Sequence, residues 1–236
     1  MAAGTLDDLR ARLVGLKGDS PVSARLEITV SGEEGNGDEP TELNGRAGAD
    51  VGETAKGVTV TYDAESVANA EREAELLDGG SREFGARFAL NSITAKDVHE
   101  LLNAAPYLLR QIDRSRLIDE KDDTFDGKPA RLLILKVTPR LNPQASKFIK
   151  DFKVTARIWL DGDGLPVAAS IEQLRKGRAF LVIGFEANDT DDYRYRVIGD
   201  RLVAVRHERT TTGSGAGQKS NSKMVIELKP TETSGG

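Results

Sequence analysis

Cysteine and histidine, two residue types that often carry catalysis or bind metals, are sparse in this chain and are not grouped. It has 236 residues, no cysteine and only two histidines, His99 and His207, so thiolate chemistry and cysteine zinc sites are excluded. A helical pattern places His99 on the polar side of a helix, and an alternating pattern places His207 inside a strand. No histidine pair stands at metal-binding spacing, and we expect both residues to be structural or solvated.

Two acidic patterns could hold a cation. The run from Asp161 to Gly164 partly matches a calcium loop, but Leu165 stands at a ligand position and Pro166 at the position that needs glycine. The second pattern is a group of five carboxylates between Asp119 and Asp126, at a predicted strand end and hairpin where solvated acids are common. We expect a turn and a solvated patch, and therefore no metal ligands.

The known signatures of enzymes are also missing. The sequence has no nucleophile elbow, phosphate-binding glycine loop or dinucleotide fingerprint, because its glycines cluster in acidic loops instead of between a strand and a helix. Glycoside hydrolysis needs two carboxylates on facing elements. The chain has 38 acidic residues, and the sequence alone cannot identify such a pair among them. A hydrolase or lyase stays an alternative, but we expect no catalytic residues, no cofactor and a protein that binds.

The charge is unevenly distributed. The formal net charge is -5, and residues 31–57 alone hold seven acidic and two basic residues, so the remainder is balanced. Nucleic-acid binding is not expected, since that function needs a basic stripe with interleaved aromatics and only 5% of the residues are aromatic. No apolar run is long enough to span a membrane, and the first ten residues lack the pattern of a signal peptide.

Alternation of apolar and polar residues predicts a mainly β protein. Residues 22–30 place Leu26, Ile28 and Val30 on one face and polar residues on the other. Similar patterns recur along the chain and are separated by hairpin signals such as Asp126-Gly127. Alternation is typical of antiparallel strands. We expect about ten strands in meander order, forming one α+β domain over residues 1–236.

Two polar segments interrupt this order, and helices are expected in three places. Residues 31–57 contain seven glycines and few apolar residues, and we interpret them as an acidic, flexible insertion. Residues 209–223 are rich in Thr, Ser and Gly and predict a flexible hairpin loop. Helical spacing of apolar residues predicts helices over residues 6–16, 65–78 and 95–113, the last of them broken or kinked by Pro106.

The most distinctive motifs lie between Phe125 and Val167. Asp126-Gly-Lys-Pro-Ala130 opens a predicted strand that ends at Pro139, and Arg157-Ile-Trp-Leu-Asp161 is followed by Gly164-Leu-Pro-Val167. This order resembles the bacterial outer-membrane lipoprotein-sorting carriers, the LolA-like family, in which a strand opening like DGKPA precedes a strand with Trp and Asp that turns through GLP. The resemblance implies an antiparallel half-open β-barrel with helices across its concave face.

The same resemblance implies a periplasmic or extracytoplasmic protein, with its signal sequence removed, that carries or senses a lipid or lipoprotein acyl chain. A sheet too wide to fill its own concavity would leave an apolar site, where each buried CH₂ contributes about 0.8 kcal/mol. The candidate lipid-binding residues are Leu26, Ile28, Val30, Leu102, Leu109 and Trp159. For the helix stripe, packing against the sheet is the favoured interpretation, and lining or plugging a ligand cavity is the alternative. Trp159 could equally be ordinary core. The alternative function is a non-catalytic interaction or regulatory module of the cell envelope that binds a protein partner.

Overall fold

The computed structural model describes residues 2–35, 41–78, 85–141, 145–179 and 183–231, which form five α-helices, one short 3-10 helix and ten β-strands. The helices are α1 (Ala2–Gly15), α2 (Ala64–Asp78), α3 (Ala86–Asn91), α4 (Ala95–Leu102) and α5 (Ala104–Ile112), with the 3-10 turn at Ala145–Lys147. The first five strands are β1 (Val22–Gly35), β2 (Thr41–Thr54), β3 (Gly57–Tyr62), β4 (Ser115–Phe125) and β5 (Lys128–Val137). The others are β6 (Ile149–Leu160), β7 (Pro166–Ala179), β8 (Ile183–Ile198), β9 (Arg201–Gly215) and β10 (Gln218–Pro230).

All ten strands belong to one antiparallel sheet in the order β3-β2-β1-β10-β9-β8-β7-β6-β5-β4. The two edge strands, β3 and β4, do not pair with each other, so the sheet is open. The predicted fold class, mainly β with α in an open antiparallel sheet, is therefore confirmed. Because β3 and β4 lie at opposite edges, the connection between them must cross the sheet, and it carries α2 to α5.

The hydrophobic core lies on the face of the sheet that the helices cover, called the inner face below. Strand alternation directs Leu26, Ile28 and Val30 of β1 to this face. The register pairs Leu26 with Leu228 and Ile28 with Ile226 on β10, which extends the same apolar surface across the first and last strands. The leucines of α1, α4 and α5 pack onto it. Within the described ranges no helix combines the length and apolar character needed to cross a membrane.

The acidic segment 31–57 is mostly strand, so the prediction of a flexible insertion was wrong for its described part. Residues 31–35 end β1, and 41–54 form β2, which pairs with β1 on one side and β3 on the other. Residues 36–40 lie outside the described residues. The apolar alternation of β2 uses small side chains, Ala47, Ala49 and Val51, which are buried facing the core. Such a pattern is easily mistaken for a glycine-rich loop.

The segment 209–223 is a hairpin, as expected, but it has almost no loop. Strands β9 and β10 continue through it in register as far as Gly215 and Gln218, and the turn is Ala216-Gly217. Both turn residues have positive φ angles, 52° and 78°, which suits the twist of a two-residue hairpin. These strand segments are solvated, which explains why Thr and Ser occupy them. The β propensity of these residues is compatible with strand pairing.

The predicted helix 95–113 is two helices, α4 and α5, which meet at Asn103. Pro106 lies in the first turn of α5, where a backbone N–H is not needed. Without that N–H, residue 106 cannot donate to the carbonyl of Leu102, so a continuous helix would lose a hydrogen bond at this point. The break therefore falls before the proline and not at it.

Candidate ligand cavity beneath helix α4

The six residues predicted to bind lipid are divided between the two faces of the sheet. Five of them share nearly complete burial in the core between helices and sheet: Leu26, Ile28, Val30, Leu102 and Leu109. Trp159 lies on the opposite, outer face, because the alternation of β6 directs Ile158 and Leu160 inward. None of the five buried residues lines the cavity described below, and Trp159 lines a groove on the outer face. Contact between any of the six and a ligand stays a prediction.

A partly open cavity of about 110 Å³ lies between α4, the start of α5 and strands β8 to β10. One part of its lining is apolar and consists of Ile93, Leu101, Ala104, Met224 and Ile226. The other part is polar and aromatic and consists of Ser92, Asp97, Glu100, Tyr107, Tyr193, Tyr195, His207 and Arg209. The cavity is thus amphipathic, with the helices forming one wall and the inner face of the sheet the other.

A buried carboxylate organises the polar part. Asp191 has an exposed fraction of 1%, and its Oδ1 lies 2.8 Å from His207 Nε2 and accepts a hydrogen bond from Arg209 Nε at 2.7 Å. Burial raises the pKa of Asp191, but the hydrogen bonds from His207 and Arg209 outweigh burial, and its pKa lies below the usual value. The carboxylate and the guanidinium balance each other in charge.

Three tyrosines stand beside this group. The ring of Tyr193 stacks on His207 with centroids 4.3 Å apart and on Tyr195 with centroids 5.9 Å apart. Tyr107 of α5 meets Tyr193 at 5.8 Å in a tilted arrangement, so this contact joins the helix to the sheet. Burial raises the pKa of all three tyrosines, strongly for Tyr193 and Tyr195. The phenols therefore stay protonated and can donate hydrogen bonds.

Helix α4 covers the cavity on the side away from the sheet and is held at both ends by polar contacts. Its N-terminus has a capping box in which Thr94 and Asp97 bond to each other's backbone N–H. Later in the helix, His99 Nδ1 lies 3.1 Å from Glu53 Oε2 of β2, and Glu100 pairs with Arg110 of α5 at 2.6 Å. The inward side of α4 buries Val98, Leu101 and Leu102. These contacts set how closely α4 lies on the sheet.

The surroundings of Trp159 form a separate groove of about 510 Å³ on the outer face. Trp159 Nε1 donates to Asp123 Oδ2 at 2.9 Å, and its ring meets Phe125 with centroids 5.6 Å apart. Arg194 lies over the other aromatic ring, Phe125, at 5.4 Å. Its guanidinium also pairs with Asp126. Edge-strand and sheet residues therefore fix the indole on a surface that the helices do not cover.

The acidic patterns behave as turn and surface features in the part of the chain that the structure describes. Asp161 Oδ1 accepts hydrogen bonds from the backbone N–H of Asp163 and Leu165 at 3.0 and 2.9 Å, so this carboxylate shapes the turn between β6 and β7. Over the described residues, no group of three or more His, Asp or Glu side chains is arranged to hold a metal ion.

No family model matches the chain, and no curated protein matches it. A solved structure resembles it along its whole length. This is a crystal structure from Vibrio parahaemolyticus described as an outer membrane lipoprotein-sorting protein domain, with 13% sequence identity, a TM-score of 0.38 and coverage of 100% of this chain and 95% of that chain. At this identity and TM-score the likeness carries no argument about the family or the function of this chain.

Sequence reasoning missed the polar part of the cavity, although a signal was present. Strand β8 places Asp189, Asp191, Tyr193 and Tyr195 at every second position, and the inner face of a strand normally carries apolar residues there. Taken together with His207, these residues indicate a polar patch inside the core. The pairing of Tyr193 with His207 across β8 and β9 brings them together, and that register is not readable from either strand alone.

Proposed function

We propose that this protein is an envelope carrier or sensor that binds a lipid or lipoprotein acyl chain between α4 and the inner face of the sheet. The observation that carries the proposal is the amphipathic cavity beneath α4. Its apolar part, which includes Leu101, Ala104 and Ile226, continues into the core that holds Leu102. An envelope location is supported by the motif resemblance between Asp126 and Val167.

The cavity must widen to take a whole chain. Its volume of about 110 Å³ is below the ~300 to 1,000 Å³ of ordinary ligand sites. Helix α4 is the element suited to move, because it has only eight residues and breaks from α5 at Asn103. For it to lift, the contacts of His99 with Glu53 and of Glu100 with Arg110 must open. Lifting it uncovers Val98, Leu101 and Leu102, and an acyl chain would cover them again. Each CH₂ buried in exchange contributes about 0.8 kcal/mol.

A fluorescent fatty acid and native mass spectrometry test this function. We expect saturable binding that an unlabelled acyl chain displaces, and a lipid retained by the purified protein. Ala104 lines the cavity and is buried, so Ala104→Leu should fill the cavity and lower affinity by about tenfold, the loss expected when one or two buried CH₂ groups of the ligand lose their place.

The matched control is Ala168→Leu, the same substitution at an equally buried alanine that lines the outer groove. We expect it to leave binding unchanged. Loss of binding in Ala168→Leu with normal binding in Ala104→Leu would place the ligand on the outer face and contradict the proposal. Absence of both retained lipid and saturable binding would contradict the carrier function altogether.

A further inference from the structure

We propose that the polar part of this cavity recognises the carbonyl oxygen of an acyl ester, with the hydroxyl of Tyr195 as the donor. The inference rests on the proposed function and names the chemical group at the end of the bound chain. It predicts a preference among ligands of equal apolar length, which the apolar wall by itself cannot give.

The Tyr195 hydroxyl is buried and unpaired among the described residues. The side chain has an exposed fraction of 5%, its ring lines the cavity, and its oxygen has no hydrogen-bond partner among the described residues. A buried hydroxyl without a partner costs free energy, so such groups are rare unless a ligand or water pairs with them. The neighbouring Tyr193 ring stacks parallel to Tyr195 and holds it in place.

The Tyr195 hydroxyl is suited to a partner that accepts a hydrogen bond. Burial keeps the pKa of Tyr195 well above its ordinary value, so the hydroxyl is a donor at neutral pH. The partner must then supply an acceptor atom. A carbonyl oxygen is the acceptor that an ester-linked acyl chain carries next to its apolar part.

The charged residues that line the cavity favour a neutral ester over an ionised carboxylate. Arg209, the arginine that lines the cavity, is already paired with Asp191 at 2.7 Å. The carboxylates that line the cavity are also occupied, since Asp97 caps α4 and Glu100 pairs with Arg110. An added negative charge would find no free cation among these residues and would lose its hydration.

The polar and apolar parts of the cavity lie on neighbouring strands of the sheet. The polar residues Tyr195 and His207 come from β8 and β9, whereas Met224 and Ile226 come from β10, the next strand in the sheet. Leu101 and Ala104 cover the apolar part from the helices. A ligand with its carbonyl at β8 and its chain running toward β10 would satisfy both parts.

The experiment measures displacement of the fluorescent fatty acid by three probes with the same chain length: an alkyl methyl ester, an n-alkane without any acceptor atom, and the free fatty acid. We expect the wild-type protein to bind the ester more tightly than the alkane and the carboxylate. In Tyr195→Phe, ester affinity should fall about five- to tenfold, the effect of one hydrogen bond, and alkane affinity should stay unchanged. The melting temperature should not fall, because the lost hydroxyl has no protein partner.

Tyr62→Phe is the control, because it removes a half-buried tyrosine hydroxyl that donates to Leu90 O at 3.2 Å, outside the cavity. It should leave the ratio of ester to alkane affinity unchanged. Equal affinity for ester and alkane in the wild-type protein, or an unchanged ester affinity in Tyr195→Phe, would overturn the inference and would mean that only water pairs with the hydroxyl. Alkane binding without an ester preference leaves the carrier function standing. Failure of every probe to bind contradicts both proposals.

Discussion

Arg201 Nη1 lies 3.2 Å from Glu53 Oε1, and both side chains are almost fully buried, with exposed fractions of 3% and 11%. The pair joins β9 to β2, and Glu53 also lies 3.1 Å from His99 of α4. Arg201 Nε donates to Ser20 O at 2.8 Å. One buried network therefore connects the sheet, the segment after α1 and the helix that covers the cavity.

Removing one member of this pair should destabilise the protein strongly. Arg201→Met leaves Glu53 buried without its cation, and we expect a loss of about 3 kcal/mol in the free energy of unfolding, measured by urea denaturation. Glu53→Gln in the same chain should restore part of that loss. As a control, Lys229→Met breaks an exposed pair with Glu27 and should change stability by less than about 1 kcal/mol. Equal effects of Arg201→Met and Lys229→Met would contradict a buried network.

The Asp191 group should make stability depend on acid pH. Its pKa in the folded protein lies below the ordinary 3.8, so its contribution is fully present above pH 3.8 and is lost as the pH falls through the folded value. Asp191→Asn should therefore be less stable than wild type at pH 6, and the gap between the two should shrink below pH 3.8 in urea titrations. Asp7→Asn removes a solvent-exposed carboxylate that pairs with Arg10 of the same helix and should have a smaller effect. A gap that stays constant with pH would refute the assignment.

Tryptophan fluorescence can separate the two faces of the sheet. Trp159 is the chain's one tryptophan, and it lies in the outer groove with its Nε1 bonded to Asp123. We expect acyl-chain binding under α4 to leave its emission maximum unchanged. Asp123→Ala should shift the emission, since it removes the indole partner, yet leave ligand affinity as in wild type. A saturable shift of wild-type emission on ligand addition would contradict the inner-face site.

The β9–β10 turn offers a stabilising substitution. Ala216 has a φ of 52°, a conformation that costs a residue with a Cβ about 1 kcal/mol and that asparagine tolerates better. Ala216→Asn should raise the free energy of unfolding by about 0.5 to 1 kcal/mol. Gly217→Ala should lower it by a similar amount, because Gly217 has a φ of 78° although a Cβ there would meet no atom. Thermal denaturation measures both, and a destabilised Ala216→Asn would show that another feature holds the turn.

Most of the fold could be predicted from local pattern. The alternation in β1 and the Asp126-Gly127 turn gave correct strands, and Asp126 and Gly127 do have the positive φ angles of 49° and 75° that such a turn needs. Prediction failed at β2, where glycine and alanine carry a weak alternation. The break of helix 95–113 was predicted at Pro106 and lies three residues earlier, at Asn103. In both places the side chains are small or the cause is displaced along the chain, so the local signal is faint.

The sequence by itself indicated the antiparallel class of the sheet, the helices other than α3, and the shared apolar face of Leu26, Ile28 and Val30, because periodicity groups the residues of one face. The alternation of β6 also sets Trp159 opposite Ile158. Only the tertiary structure decided that the Ile158 face points inward and that Tyr195, His207 and Asp191 meet inside the core. Which of two alternating faces points inward, and which strand lies beside which, depend on the pairing of distant segments. That pairing brings a polar group into an apolar interior, and it is the reason that the candidate site could not be located from one strand at a time.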